Sequence, residues 1–176
     1  RYIGMDHFAL PDDELAVACD DGTMQRNFMG FTTRSGTDLA GMGVSAISFH
    51  GSMYAQNTKK LPKYREAVKR GELPVMRGHV LSPDDLLRAD LITALMCRDR
   101  IDIRTLENHH GIEFKEYFSS EIQRLDPLVE DELLQINEST MELSFLGRLF
   151  VRNIAMVFDT YLARQQSGNP MFSRTL

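Results

Sequence analysis

Hydrophobic and polar positions follow a strand-like rhythm in the first third of the chain and a helical one after it. Arg1-Tyr2-Ile3-Gly4-Met5-Asp6-His7-Phe8 reads as a strand, rich in aromatic and β-branched side chains. Pro11-Asp12-Asp13-Glu14 predicts a helix start, with proline in the first turn and acids at the positive end of the helix dipole, and Asp21-Gly22 ends it. Residues 24–57 are dense in Gly, Ser, Thr and Asn and predict strands and loops, among them a buried strand in Gly41-Met42-Gly43-Val44-Ser45-Ala46-Ile47-Ser48.

From about residue 58 the apolar period lengthens. Leu61, Tyr64 and Val68 fall on one helical face, Gly71 supplies a stop and Leu73-Pro74 begins a linker. Ser82-Pro83-Asp84-Asp85 is a helix start with serine at the N-cap and proline at N1. Leu87, Leu91 and Leu95, flanked by Ile92 and Met96, form that helix's buried stripe. A short helix over Arg104 to His109 closes at Gly111, and Phe114, Phe118, Ile122 and Leu125 carry further helical turns. Residues 133–143 predict a hairpin turning near Asn137 to Thr140, and Phe145 to Leu162, apolar on nearly every face, a central buried helix. The tail, residues 165–176, is expected to be loosely held.

The fold class expected is therefore α+β and mainly helical, with helices and a hairpin arranged in a winged-helix-like way over residues 82–164. The octet at residues 1–8 starts without an initiator Met and reads as an interior strand, so the chain is expected to be a piece of something longer.

Composition narrows the class. The 176 residues include 43% hydrophobic side chains, enough for a folded core. No apolar run approaches the roughly 18 to 20 residues of a membrane span, and no secretory signal opens the chain. A cytoplasmic location with no membrane partner is expected. The formal net charge of −5 gives no general field for nucleic acid. A winged helix invites a DNA-binding reading, but between residues 114 and 130 Lys115 and Arg124 face Glu116, Glu121, Asp126 and Glu130, a balance that repels phosphate. No nucleic-acid partner is expected.

Few residues advertise chemistry by themselves. The cysteines are Cys19 and Cys97 alone, neither a disulfide framework nor a metal-ligand spacing. Asp6 and His7, adjacent in a strand, should point to opposite faces and form no dyad. His109-His110 beside Gly111 reads as a solvated helix end, no partner is legible for His50 or His79, and no metal site is expected. Gly41 to Ala46 lacks the strand and helix a dinucleotide-binding turn requires, so its small residues signal close backbone approach, by the protein itself or by a cofactor. Phe8, Phe28, Phe31 and Phe49 lie in or beside the glycine-rich segment, where they serve either core packing or the cover of a flat ligand.

Several segments carry a resemblance: Arg1 to Ala9, Arg26-Asn27-Phe28-Met29-Gly30-Phe31-Thr32-Thr33, Gly41 to Ser48, Tyr54-Ala55-Gln56-Asn57, Arg77-Gly78, Asp84-Asp85, Leu95-Met96-Cys97 and Gly147 to Leu162. In order and spacing they resemble the oxygen-independent coproporphyrinogen III oxidases, radical S-adenosylmethionine enzymes of haem biosynthesis. The resemblance covers essentially the whole chain but less than half of a full-length family member.

It implies that residues 1–57 form the C-terminal end of a partial radical-SAM α/β barrel and residues 58–176 a helical C-terminal domain. The implied reaction is oxidative decarboxylation of two propionates of coproporphyrinogen III to give protoporphyrinogen IX, with S-adenosylmethionine, a four-iron four-sulfur cluster and an electron donor. The cluster's CxxxCxxC motif is not in this chain, which is expected to be inactive alone, with self-association the expected response of cut sheet edges. Ile47, Phe28 and Met29 are implied S-adenosylmethionine contacts, Met29 standing where a glutamine is expected. Arg1, Arg26, Arg34 and Arg77 are candidates for the substrate's carboxylates, since guanidinium pairs carboxylate bidentately; no catalytic residue is assigned. The alternative implied by the same resemblance is a haem-binding or haem-handling relative without oxidase activity.

Overall fold

The structure is a computed structural model that describes residues 1–165. The expected tail therefore lies, beyond Gln165, outside the described residues. Backbone proximity divides the chain into two compact units, residues 1–33 with 87–176, and residues 34–86. Both mix helices with small antiparallel sheets. No helix among the described residues is long and apolar enough to cross a membrane.

The first unit opens with two hairpins and a helix. Strands β1 (Tyr2–Gly4) and β2 (His7–Phe8) pair antiparallel, so the octet expected to be one strand is folded back on itself. Met5, at φ 53, makes the reversal, and an apolar sequence pattern does not announce such a turn. Helix α1 (Glu14–Asp20) is capped by the Asp13 carboxylate, which accepts from the Leu15 amide at 2.8 Å. Strands β3 (Gln25–Asn27) and β4 (Gly30–Thr32) form the second hairpin around Phe28 and Met29. Ile3, Ala16, Ala18, Met24 and Cys97 close a small apolar cluster there.

The second unit holds a three-stranded meander, β5 (Ile47–His50), β6 (Met53–Asn57) and β7 (Val75–Val80), with helix α2 (Leu61–Lys69) between the last two strands. Two expectations fail here. Gly41 to Ala46 is a loop, the strand beginning only at Ile47, and the stretch expected to be a linker after Leu73 contains β7. The α2 face carrying Leu61, Tyr64 and Val68 is half open, with Leu61 47% and Val68 51% exposed while Ala67 is the buried residue.

Helix α3 (Pro83–Arg98) starts in the second unit with reciprocal capping. The Asp85 amide donates to Ser82 Oγ at 3.2 Å, and the Ser82 amide donates to Asp85 Oδ2 at 2.8 Å. This is the expected start, with aspartate in the role usually held by glutamate. Its later turns bury Leu87, Leu91 and Leu95 in the main core of the first unit.

Around that core lie β8 (Arg100–Asp102), α4 (Ile103–His110), α5 (Phe114–Tyr117), α6 (Ser119–Glu130), β9 (Leu134–Ile136) and β10 (Thr140–Leu143). The sheet order is β8-β10-β9, and Ile101 sits directly opposite Met141, both buried. Strand β8 was not visible in the sequence because its three residues present only Ile101 inward. Phe114, Phe118 and Leu125 are fully buried, as their spacing predicts. Gly111 ends α4 in the left-handed conformation at φ 65, the ordinary glycine stop.

The expected long helix after Phe145 is three short ones, α7 (Phe145–Leu149), α8 (Val151–Met156) and α9 (Thr160–Gln165). It is not buried throughout: Val151, Ile154 and Phe158 enter the core, while Phe145 is 76% and Leu149 58% exposed. Gly147 explains the placement of α7, since a Cβ there would lie 1.8 Å from the Leu133 carbonyl oxygen.

Candidate functional site

The two hairpins of the first unit assemble a cationic and aromatic cluster. Because the chain reverses at Met5, Asp6 belongs to a turn and strand alternation does not govern it. Asp6 Oδ1 lies 3.0 Å from His7 Nδ1, which overturns the expectation that these neighbours diverge. The His7 ring meets the edge of Phe31 on β4, with centroids 5.3 Å apart. Arg26 on β3 lies over the same Phe31 ring at 5.2 Å, a cation–π contact.

Arg26 also turns one guanidinium nitrogen to the Met5 sulfur at 3.3 Å, and Arg152 on α8 brings its Nε to that sulfur at 3.3 Å. Thioether sulfur is a weak acceptor and carries no charge to pair with either guanidinium. Among the described residues no carboxylate comes within ion-pair distance of either guanidinium. Burial, and after it the charge of Arg152, holds the Arg26 pKa below the ordinary arginine value, with Cys97 and Asp6 opposing. Half-buried Arg26 and exposed Arg152, held against one sulfur, favour an anion between them.

The hairpin tip beside this cluster is open. Phe28 is 57% and Met29 84% exposed, and the Met29 amide donates to Asn27 Oδ1 at 2.8 Å. Asn27 thus fixes the turn that presents both side chains.

The other arginines named from the sequence are placed differently. Arg1 is ion-paired to the Asp20 carboxylate. In the second unit, Arg77 Nε donates to Gln56 Oε1 at 2.8 Å, and Arg34 is exposed, with its carbonyl accepting from Thr37 Oγ1 at 3.3 Å. Only Arg26 joins the cluster around Met5. Arg152, which pairs with it, was missed because 126 residues separate the two in sequence; its position in the Gly147 to Leu162 segment was the available signal.

Ile47 is half-buried at the start of β5. The glycine loop before it packs on the protein itself: a Cβ on Gly41 would fall 2.5 Å from the Ile47 carbonyl oxygen. Buried Asn57 donates its side-chain amide to the carbonyls of Gly41 at 3.2 Å and Gly43 at 3.0 Å, while the Gly43 amide donates to Tyr64 Oη at 3.0 Å. Of the two readings open for this segment, the approaching group in this structure is therefore the chain's own backbone.

Neither thiol is disposed to ligate metal. Cys97 is buried, with its thiol pushed up to about 11 by burial, where the thiolate needed for ligation is scarce. Cys19 packs against the same small apolar cluster.

Comparison with known proteins gives this geometry its context. The HemN C-terminal domain matches residues 81–150. Oxygen-independent coproporphyrinogen III oxidase of Salmonella typhimurium is 48% identical over 176 residues, all of this chain and 38% of the relative. The Helicobacter pylori protein of the same name is 41% identical over the same length, again 38% of its own. A solved structure of the Escherichia coli enzyme, described as a radical SAM enzyme, superposes with a TM-score of 0.88 at 46% identity, covering 92% of this chain and 37% of that one. The chain thus spans little more than a third of the length of these relatives. With identity of this order across its whole length, the chain is homologous to the C-terminal portion of the oxygen-independent coproporphyrinogen III oxidases.

Proposed function

We propose that this chain supplies the substrate-facing C-terminal portion of an enzyme that oxidatively decarboxylates coproporphyrinogen III to protoporphyrinogen IX. Identity running collinearly through all 176 residues carries this reading. The paired guanidiniums of Arg26 and Arg152 support it, because the substrate bears four propionates and decarboxylation requires that a carboxylate be held still while its side chain reacts.

In this reading Arg26 and Arg152 receive one propionate across the Met5 sulfur. Phe31 and His7 wall the position, and Phe31 fixes the Arg26 guanidinium by lying beneath it. Arg1, Arg34 and Arg77 remain candidates for other propionates, although Arg1 would first have to leave Asp20. Exposed Phe28 and Met29 fit apolar contacts to S-adenosylmethionine, and Ile47 is assigned to the same cofactor by position in the family. A thioether at residue 29 accepts hydrogen bonds only weakly and donates none.

When bound in a protein of this family, S-adenosylmethionine and its iron–sulfur cluster provide the hydrogen-abstracting oxidant. The two cysteines here do not fit the cluster, so no step through it is assigned to this chain. What the chain does is bind, orient and shield.

Residues 1–57 are assigned to the end of the catalytic barrel and residues 58–176 to the helical domain. The order α3, β8, α4, α5, α6, β9, β10 supports a winged-helix-like arrangement in the latter. A DNA-binding role gains nothing from it: on α6, Glu121 is engaged with Arg88 at 2.8 Å and Arg124 donates to the Val157 carbonyl.

The test is a chimera in which these 176 residues replace the matching segment of a full-length relative, loaded anaerobically with cluster and supplied with S-adenosylmethionine, a reductant and coproporphyrinogen III. Protoporphyrinogen IX formed with matching 5′-deoxyadenosine is the expected result. Cofactor cleavage without decarboxylation, together with stoichiometric haem binding, would transfer the chain to a haem-handling relative.

A further inference from the structure

The end of α4 and the middle of α3 bring together three side chains the proposed oxidase chemistry does not use. Asp90 Oδ2 lies 2.9 Å from His110 Nε2 and 3.8 Å from His109 Nδ1. One ligand atom from each of the three residues falls within 4.8 Å of the other two. We propose that Asp90, His109 and His110 form a divalent transition-metal site of the zinc type, clamping the C-terminal end of α4 to α3.

Three observations carry this. First, the spacing is right: a tetrahedral ion with bonds of about 2.0–2.1 Å holds its donors roughly 3.3–3.4 Å apart, and the two Asp90 distances bracket that value. Small side-chain rotations close the difference.

Second, the two imidazoles are prearranged. Adjacent helical residues project about 100° apart, yet these rings stack at 25° with centroids 4.6 Å apart. The stacking turns Nδ1 of His109 and Nε2 of His110 toward the same carboxylate oxygen. Two imidazoles and one carboxylate suit zinc, and three protein ligands leave a fourth position for water or another donor.

Third, the site lies at a helix C-terminus, whose partial negative charge favours a cation. His110 is held in place, its side chain only 13% exposed, whereas Asp90 and His109 are 52% and 71% exposed and open to an arriving ion.

Chelator-treated chain titrated with zinc chloride in a calorimeter should bind one equivalent here, and cobalt(II) at the same site should show the visible absorption of a low-coordinate ion. Asp90→Asn and His109→Ala should each weaken zinc at least about tenfold, a loss that even outer-shell changes reach. His79→Ala, in the second unit, should leave affinity unchanged. His109 is largely exposed, so its replacement preserves the fold, which circular dichroism verifies. Absence of stoichiometric zinc binding by the parent chain, or equal affinity in the Asp90→Asn and His109→Ala variants, would overturn the proposal.

Discussion

The helical body of the first unit and the meander of the second hold themselves together by different means. The body has a deep apolar core in which Leu91, Leu95, Phe114, Phe118, Leu125, Ile154 and Phe158 are fully buried. The meander has no such centre: every residue of β7 is exposed, and its buried residues include Asn57 and Thr58. Its glycine loop is fixed by hydrogen bonds from Asn57 and to Tyr64. One unit is thus specified mainly by burial of apolar area and the other by backbone groups that need particular partners.

Within the body, one polar contact should match the largest apolar ones. Arg88 donates to Glu121 Oε1 at 2.8 Å and to the Phe158 carbonyl at 3.0 Å while lying over the Phe118 ring. Removing one partner of such a pair strands the other, so Arg88→Ala should cost about 3–5 kcal/mol, read as a fall in denaturant midpoint. Burial pushes the Glu121 pKa up, but hydrogen bonds from Ser120 and Arg88 outweigh it and hold the group below its ordinary 4.5. The folded state therefore binds that proton less readily than the unfolded chain. Its contribution is complete above the ordinary value and is lost as pH falls through the lowered folded one. A Glu121→Gln variant should lose this part of the acid dependence; an unchanged acid limb would remove Glu121 from the account.

Gly147→Ala probes packing in the same unit. The added Cβ meets the Leu133 backbone carbonyl, which cannot swing away as a side chain can, so a cost of about 1–3 kcal/mol is expected. A neutral result by thermal melting would mean that α7 shifts without penalty.

Asn57→Ala asks the corresponding question of the meander. It leaves two loop carbonyls without their donors and should cost about 1–3 kcal/mol. Hydrogen exchange should accelerate over residues 41–57 while protection of Leu91 and Phe118 stays as it was. Uniform acceleration across both units would erase the distinction drawn between them. The smallest effect expected is that of Ser82→Ala, about 1 kcal/mol for loss of the cap on α3, measured by the same midpoint shift.

The sequence was most legible where a pattern reports on local chemistry. Ser82 and Asp85 announced a capped helix start, Gly111 a stop, and the Leu87, Leu91 and Leu95 stripe a buried face. It was least legible where one residue redirects the chain. Met5 in the left-handed region turns an expected strand into a hairpin, and with it Asp6 and His7 from diverging neighbours into a contact pair. Phe145 to Leu162 is apolar enough to read as one buried helix, but composition does not show where such a segment breaks or which of its faces stay open. At the candidate site, Arg26 was nameable from its motif. Arg152 was not, because pairing of residues so far apart is set by tertiary packing. The same holds for Asp90, which reaches the two histidines only once α3 and α4 are packed.

Arg26 and Arg152 act, in the proposed function, as one carboxylate clamp. In the chimera, Arg26→Gln and Arg152→Gln should each raise KM for coproporphyrinogen III while leaving cleavage of S-adenosylmethionine intact, and the double variant should lose less than the singles sum to, as partners in one contact do. If both single variants fold and keep the parent's KM, the clamp does not hold the substrate, and the cationic cluster around Met5 has no part in its binding.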